Sequence, residues 1–254
     1  MGLRRGASQG CGVQTVGNKT RTSLVLALLC FALLLNAAPA SASPAPRTTA
    51  AGLGQRSITS HAYALQTTSI VLRPGMSGPA VRDLQERLVQ LKYWLGAIDG
   101  EYGYLTTQAV MAFQKVNGLT RDGIAGPQTM AALRDPIRPQ ARSTGERVVE
   151  VKKGKQIAML VRSGTVARIF NASTGKPATP TPSGRFQVYR QIDGWRESDL
   201  GLLYRPKYFI GGYAIHGSTS VPAYAASHGC VRVGLRAMDY LWSRVPIGTR
   251  VRIY

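Results

Sequence analysis

Acidic residues, cysteine and histidine are all scarce in this chain of 254 residues. Twelve Asp and Glu stand against 32 Lys and Arg, for a formal net charge of +20, and no acid lies between Asp199 and Asp239. That stretch cannot supply the carboxylates of a His and Asp metal cluster. The cysteines are Cys11, Cys30 and Cys230, and the histidines are His61, His216 and His228. Long apolar runs are missing too. The run from Leu24 to Leu35 has twelve residues, short of the roughly 20 that cross a bilayer as a helix.

What is present divides the chain by texture. Arg4, Arg5, Lys19 and Arg21 precede the apolar run with no acid among them, and small residues follow at Ala38, Ala40 and Ala42. This is the layout of a secretory signal peptide over residues 1–42, cut after Ala40 or Ala42. Export to a cell wall or periplasmic space is therefore expected, with release possible and no membrane span left after cleavage. Cleavage removes Cys11 and Cys30, leaving Cys230 alone and excluding an intramolecular disulfide. The leader also takes four basic charges, leaving +16. So basic a protein is drawn to polyanions. Export disfavours nucleic acid as the partner, whereas a wall offers stem-peptide carboxylates and anionic polymers. Residues 43–70, rich in Ser, Thr, Pro and Ala, read as a tether in which His61 is a solvated linker residue.

From residue 71 to 134 the apolar period is helical. Val81, Leu84, Leu88 and Leu91 recur at three- and four-residue spacing, as do Thr106, Ala109, Val110, Phe113 and Val116, and a third segment carries Met130 and Leu133. Gly78-Pro79 and Gly126-Pro127 are helix starts, and the Asp99-Gly100 and Asp122-Gly123 turns separate the helices. With Leu72-Arg73-Pro74-Gly75, Gln85, Ala109-Val110, Phe113-Gln114 and Gly118-Leu119, these residues resemble the helical peptidoglycan-binding domain. The resemblance implies a non-catalytic module that holds the chain on glycan and stem peptide, with localisation and chemistry on separate domains.

Asp135-Pro136 ends the helices, and residues 135–146 read as a linker. Residues 147–254 turn to β texture. Short runs at Arg147–Val151, Gln156–Val161, Val166–Phe170, Arg185–Tyr189 and Thr249–Ile253 are punctuated by Lys153-Gly154-Lys155 and Ser163-Gly164. One helix is expected over Leu235–Ser243. The fold class is thus a small all-α three-helix domain followed by a mainly antiparallel, β-sandwich-like domain with one short helix.

The chemistry concentrates in Ala214-Ile215-His216-Gly217-Ser218 and Ser227-His228-Gly229-Cys230-Val231-Arg232. A thiol attacks a carbonyl well only as thiolate, and at an ordinary pKa near 8.5 it needs a base or a cation beside it. His228 is two residues from Cys230, in a tight turn expected to aim its side chain away, so His216, brought back by the intervening loop, is the better base. Gly229 lets the backbone bend so that the N–H groups of His228, Gly229 and Cys230 converge on a developing oxyanion. Arg232 suits a substrate carboxylate. Taken singly, Ser227 and Ser218 read as turn caps and Arg232 as a surface residue.

Together, with the strand entry Thr181-Pro182-Ser183-Gly184-Arg185-Phe186, these segments resemble the cysteine catalytic domain of the L,D-transpeptidases. The loop between His216 and Cys230 is somewhat shorter than in many members. The resemblance implies Cys230 as nucleophile, His216 as base with its ring oriented by the Gly217 carbonyl, and His228, Gly229 and Cys230 at the oxyanion. It also implies Arg232, Ser227 and Tyr213 as substrate contacts, and a chemistry that needs neither cofactor nor metal. Trp195, Tyr204, Tyr208 and Tyr213 are candidates for an aromatic cleft wall. A papain-like order fails because no histidine follows Cys230. An L,D-carboxypeptidase and a non-catalytic wall-binding protein are the alternatives.

Overall fold

The computed structural model describes residues 70–254. The segment expected to be a signal peptide, and all of the expected tether but Ile70, lie outside the described residues. Three helices come first, α1 (Pro79–Gln90), α2 (Tyr104–Asn117) and α3 (Pro127–Arg134). Each begins after a glycine, and Pro79 and Pro127 occupy first-turn positions where a missing N–H costs nothing.

A duplicated clamp fixes the helix connections. Gln85 Nε2 donates to Asp99 Oδ1 (2.7 Å) and to Thr106 Oγ1 (3.0 Å), and the Gly100 N–H donates back to Gln85 Oε1. Gln114 repeats the pattern with Asp122, Thr129 and Gly123. Each glutamine is buried and pairs both ends of its amide, as a buried polar group must.

Ten strands and a fourth helix follow. The first sheet has the order β3-β2-β1-β10-β4, from β1 (Val148–Lys152), β2 (Ile157–Arg162), β3 (Thr165–Asn171), β4 (Gly184–Gln187) and β10 (Arg250–Ile253). The second has β5 (Arg190–Gln191), β7 (Gly201–Ile210), β8 (Tyr213–Ser218) and β9 (Val231–Gly234), with β6 (Trp195–Ser198) also on β7. Helix α4 (Leu235–Trp242) follows β9. The expected strands fall on β1 to β4 and β10. Ser163 and Gly164 both take positive φ, the geometry of a tight hairpin.

The sheets are mixed rather than simply antiparallel, because β1 pairs with β10 and β8 with β9 in parallel. Parallel neighbours need a long crossover. Between β8 and β9 that crossover is the segment 219–230, which contains no helix or strand.

Strand alternation gives the first sheet two buried faces. Val149, Val151, Leu160, Phe170 and Val251 pack with Phe209, Ile215, Val231 and Met238 between the sheets. The opposite residues, Val148, Ile157, Met159, Val161 and Ile169, share one core with Leu84, Leu88, Ala109, Val110 and Phe113 of the helices. The connection after α1 even adds to the sheet: the Trp94 N–H donates to Ile169 O (2.9 Å) and the Ile169 N–H to Lys92 O (2.8 Å). The helices therefore cover an apolar sheet face and share one core with it.

Candidate active site

In the β8–β9 pair, Ile215 stands opposite Val231, His216 opposite Arg232 and Gly217 opposite Val233. Side chains alternate between faces, and Ile215, Val231 and Val233 belong to the core between the sheets. His216 and Arg232 therefore share the other face. Cys230, one residue ahead of β9, joins them beside Ala214, whose N–H donates to Sγ (3.5 Å). The three side chains line a cavity of about 470 Å³ with Ser227, His228, Tyr208 and residues of the β6–β7 hairpin.

His216 is 4% exposed. Its Nδ1 lies 2.9 Å from Gly217 O. A carbonyl can only accept, so Nδ1 carries the hydrogen and Nε2 keeps its lone pair. Burial drives the imidazole down to about 4, offset in part by the Gly217 carbonyl and reinforced by the Arg232 charge. Burial likewise pushes the Cys230 thiol up, against the pull of the Ala214 N–H and of Arg232. The resting pair is a neutral thiol and a neutral imidazole. Such a pair can move its proton as sulfur closes on a carbonyl, when the charge passes on to the oxyanion.

His228 is held differently. Lys176 Nζ lies 3.3 Å from its Nε2, and because an ammonium only donates, Nε2 accepts and Nδ1 bears the hydrogen. Nδ1 is buried and has no partner among the described residues. With its lone pair engaged, His228 is a poor proton acceptor beside His216.

The turn into Cys230 depends on Gly229, whose φ of +112° is unfavourable for any residue with a Cβ. Ser227 ties this turn. Its Oγ donates to Cys230 O (2.6 Å) and accepts the Gly229 N–H (3.1 Å). That bond engages one of the three N–H groups expected at the oxyanion, leaving those of His228 and Cys230 for it. Gly217 is needed for packing, since a Cβ there would lie 2.8 Å from Tyr204 Cδ1 and 3.1 Å from Met238 Cβ. The Tyr213 ring lies across Gly229 and is not among the cavity-lining residues. Of the four candidate aromatics only Tyr208 lines the cavity. Tyr204 packs behind Gly217 and meets Trp195 in a tilted ring pair, centroids 5.0 Å apart.

Sequence reasoning missed Lys176 and Gly175, and it placed Ala214 in the motif without foreseeing that its N–H meets the thiol. Gly175 stands where segment 172–181 crosses the nucleophile turn, and a Cβ would come 2.9 Å from Gly229 Cα. Its signal was a glycine just ahead of the Thr- and Pro-rich stretch. Lys176 carries no comparable signal, because an isolated lysine reads as solvated surface.

Two family models match the chain, a peptidoglycan binding domain over residues 77–133 and an L,D-transpeptidase catalytic domain over residues 146–253. A solved L,D-transpeptidase structure from Xylanimonas cellulosilytica is 50% identical, with a TM-score of 0.69, and the likeness covers 72% of this chain and 96% of that one. Among curated proteins, the zinc D-Ala-D-Ala carboxypeptidase of Streptomyces albus G is 42% identical over 115 residues, 42% of this chain and 40% of its own. A probable N-acetylmuramoyl-L-alanine amidase of Bacillus licheniformis is 43% identical over 88 residues, 32% of this chain and 25% of its own. This chain thus spans well under half the length of these two curated relatives.

Proposed function

This chain belongs to the L,D-transpeptidase family, and we propose that it cross-links peptidoglycan through a thioester on Cys230. The observation that carries the reading is the β8–β9 register, which sets Cys230, His216 and Arg232 on one face at one cavity. In the reaction the family implies, sulfur attacks the carbonyl of the third, L-centred diamino acid of a tetrapeptide stem. His216 Nε2 takes the thiol proton. The bond to the terminal D-alanine breaks, His216 returns the proton to its amine, and a thioester remains. A side-chain amine of a second stem then attacks that carbonyl, gives its proton to His216, and forms an amide between two third residues while the thiol is regenerated. The N–H groups of His228 and Cys230 are the oxyanion donors, and Arg232 and Tyr208 contact the stem.

The helical domain supports a peptidoglycan partner, and the net charge and leader support residence in the wall. Incubation of the purified mature protein with disaccharide tetrapeptides, followed by mass analysis, tests the reading. The expected products are free D-alanine and dimers joined between third residues. Tripeptide as the sole product at high acceptor concentration would make the protein an L,D-carboxypeptidase.

A further inference from the structure

The crossover 219–230 joins the base strand to the nucleophile, and apart from an isolated bridge at Ser227 it has no helix or strand to pair its carbonyls. Four consecutive carbonyls in it are instead met by four side chains. Val221 O accepts from Asn171 Nδ2 (3.2 Å), Pro222 O from Lys115 Nζ (3.4 Å), Ala223 O from Arg121 Nη1 (3.2 Å) and Tyr224 O from Ser173 Oγ (2.7 Å). Lys115 is on α2 and Arg121 just beyond it, so half of this row of donors belongs to the helical domain.

Lys115 is the centre of the arrangement. It is wholly buried. Its Nζ also reaches Asn171 Oδ1 (2.5 Å), Ala172 O (2.9 Å) and Gln156 O (3.1 Å). Asn171 is aligned in turn by Gln108 of α2, whose Oε1 accepts from Nδ2 (2.6 Å). No carboxylate is among these partners. A buried lysine without a counter-ion is costly, and it buries no apolar surface that a methionine would not. Its return is geometric, since one atom ties helix, sheet and crossover together.

We infer that Lys115, with Arg121, is a positioning residue for acyl transfer: the helical domain holds the crossover so that Cys230 meets His216, and does not serve only as a wall anchor. This rests on the roles given to Cys230 and His216 above. The same crossover leads to Ser227, which segment 172–181 ties through Thr174 O and the Lys176 N–H, and Lys115 holds the start of that segment at Ala172 O. The Ser227 hydroxyl in turn sets the Gly229–Cys230 turn. Misplacement of a reacting atom by about an ångström costs up to about a hundredfold in rate.

The test compares Lys115→Met and Arg121→Ala with the wild type, each as the full mature chain. Three quantities are read: the rate of thioester formation on a disaccharide tetrapeptide, the pH profile of Cys230 alkylation by iodoacetamide, and the thermal midpoint. The expected result for Lys115→Met is a kcat for thioester formation lower by about tenfold or more, a KM within about twofold and an altered alkylation profile. Arg121→Ala should lower kcat by about threefold with little change in midpoint. Wild-type kcat and an unchanged alkylation profile in both variants would overturn the inference. If Lys115→Met does not fold, Arg121→Ala decides alone. If the wild type forms no thioester, the proposed function fails, and the alkylation profiles still decide whether the helical domain sets the thiol.

Discussion

The Tyr213 ring lies so close over Gly229 that a methyl group on the glycine would overlap it. The same residue holds φ at +112°. Gly229→Ala therefore meets a steric and a conformational obstacle together, and the second is worth about 1–2 kcal/mol. We expect the variant to lose thioester formation by about a hundredfold while its thermal midpoint falls only a few degrees. Adding Tyr213→Ala removes the overlap but leaves the backbone strain. Full activity in the double variant would show that only the ring contact matters.

His216 sets the acid limit of the reaction. Burial holds its folded pKa near 4, below the ordinary 6.5, so the neutral base is present at any pH above about 5. The acid limb of kcat/KM for the donor stem should lie near pH 4, with no inflection at 6.5. His216→Ala should abolish thioester formation, and the double variant with Cys230→Ala should be no worse than either alone. An inflection at pH 6.5 would move the base role to another group.

Arg232 acts on both partners, favouring the thiolate of Cys230 and disfavouring imidazolium on His216. Arg232→Gln should raise the thiol pKa further and slow alkylation of Cys230 by roughly tenfold at a fixed pH near neutrality. The stem KM should rise as well if Arg232 also binds substrate. Equal alkylation rates would remove Arg232 from the electrostatics of the thiol.

Lys115 makes stability depend on pH. Burial, with Arg121 adding repulsion, lowers its pKa from 10.5 to about 7 in the fold. Between those values the unfolded chain holds the proton and the folded chain does not, so stability rises with pH across that window and is lost as pH falls towards 7. Wild type should gain on the order of 2–4 kcal/mol relative to Lys115→Met between pH 7 and pH 10. Parallel denaturation curves for the two proteins over that range would contradict the shift.

Removal of the helical domain should expose Val148, Ile157, Met159, Val161 and Ile169, which it covers. Each such side chain is worth about 1.5–3 kcal/mol when buried, so segment 146–254 alone is expected to lose cooperative unfolding and to aggregate. A sharp thermal transition within a few degrees of the full chain would restore the picture of an anchor on a tether.

The motif residues were legible because they are adjacent in sequence. Ser227 to Arg232 and His216-Gly217 each sit in one short segment, and only the register between them had to come from the fold. Strands β1 to β4 and β10 carried readable apolar runs, whereas β5 to β9 did not. Pro206 and Arg205, at a φ of +49°, interrupt the period of β7. Parallel pairing leaves no local trace, because it depends on where a crossover returns. Lys115 was hidden for a similar reason. A lysine beside Val116 on an amphipathic helix looks like a solvated position, and only the sheet packed against α2 makes it an interior one.

The placing of β10 between β1, to which it is parallel, and β4, to which it is antiparallel, also imposes an order in time. Val148 must wait for Arg250, about a hundred residues later, before the first sheet can close, and such distant pairings form slowly. A chain synthesised from its N-terminus presents Cys230 before the strand that completes this sheet. The first sheet, one face of which α2 covers, is thus completed only after the nucleophile segment has been made.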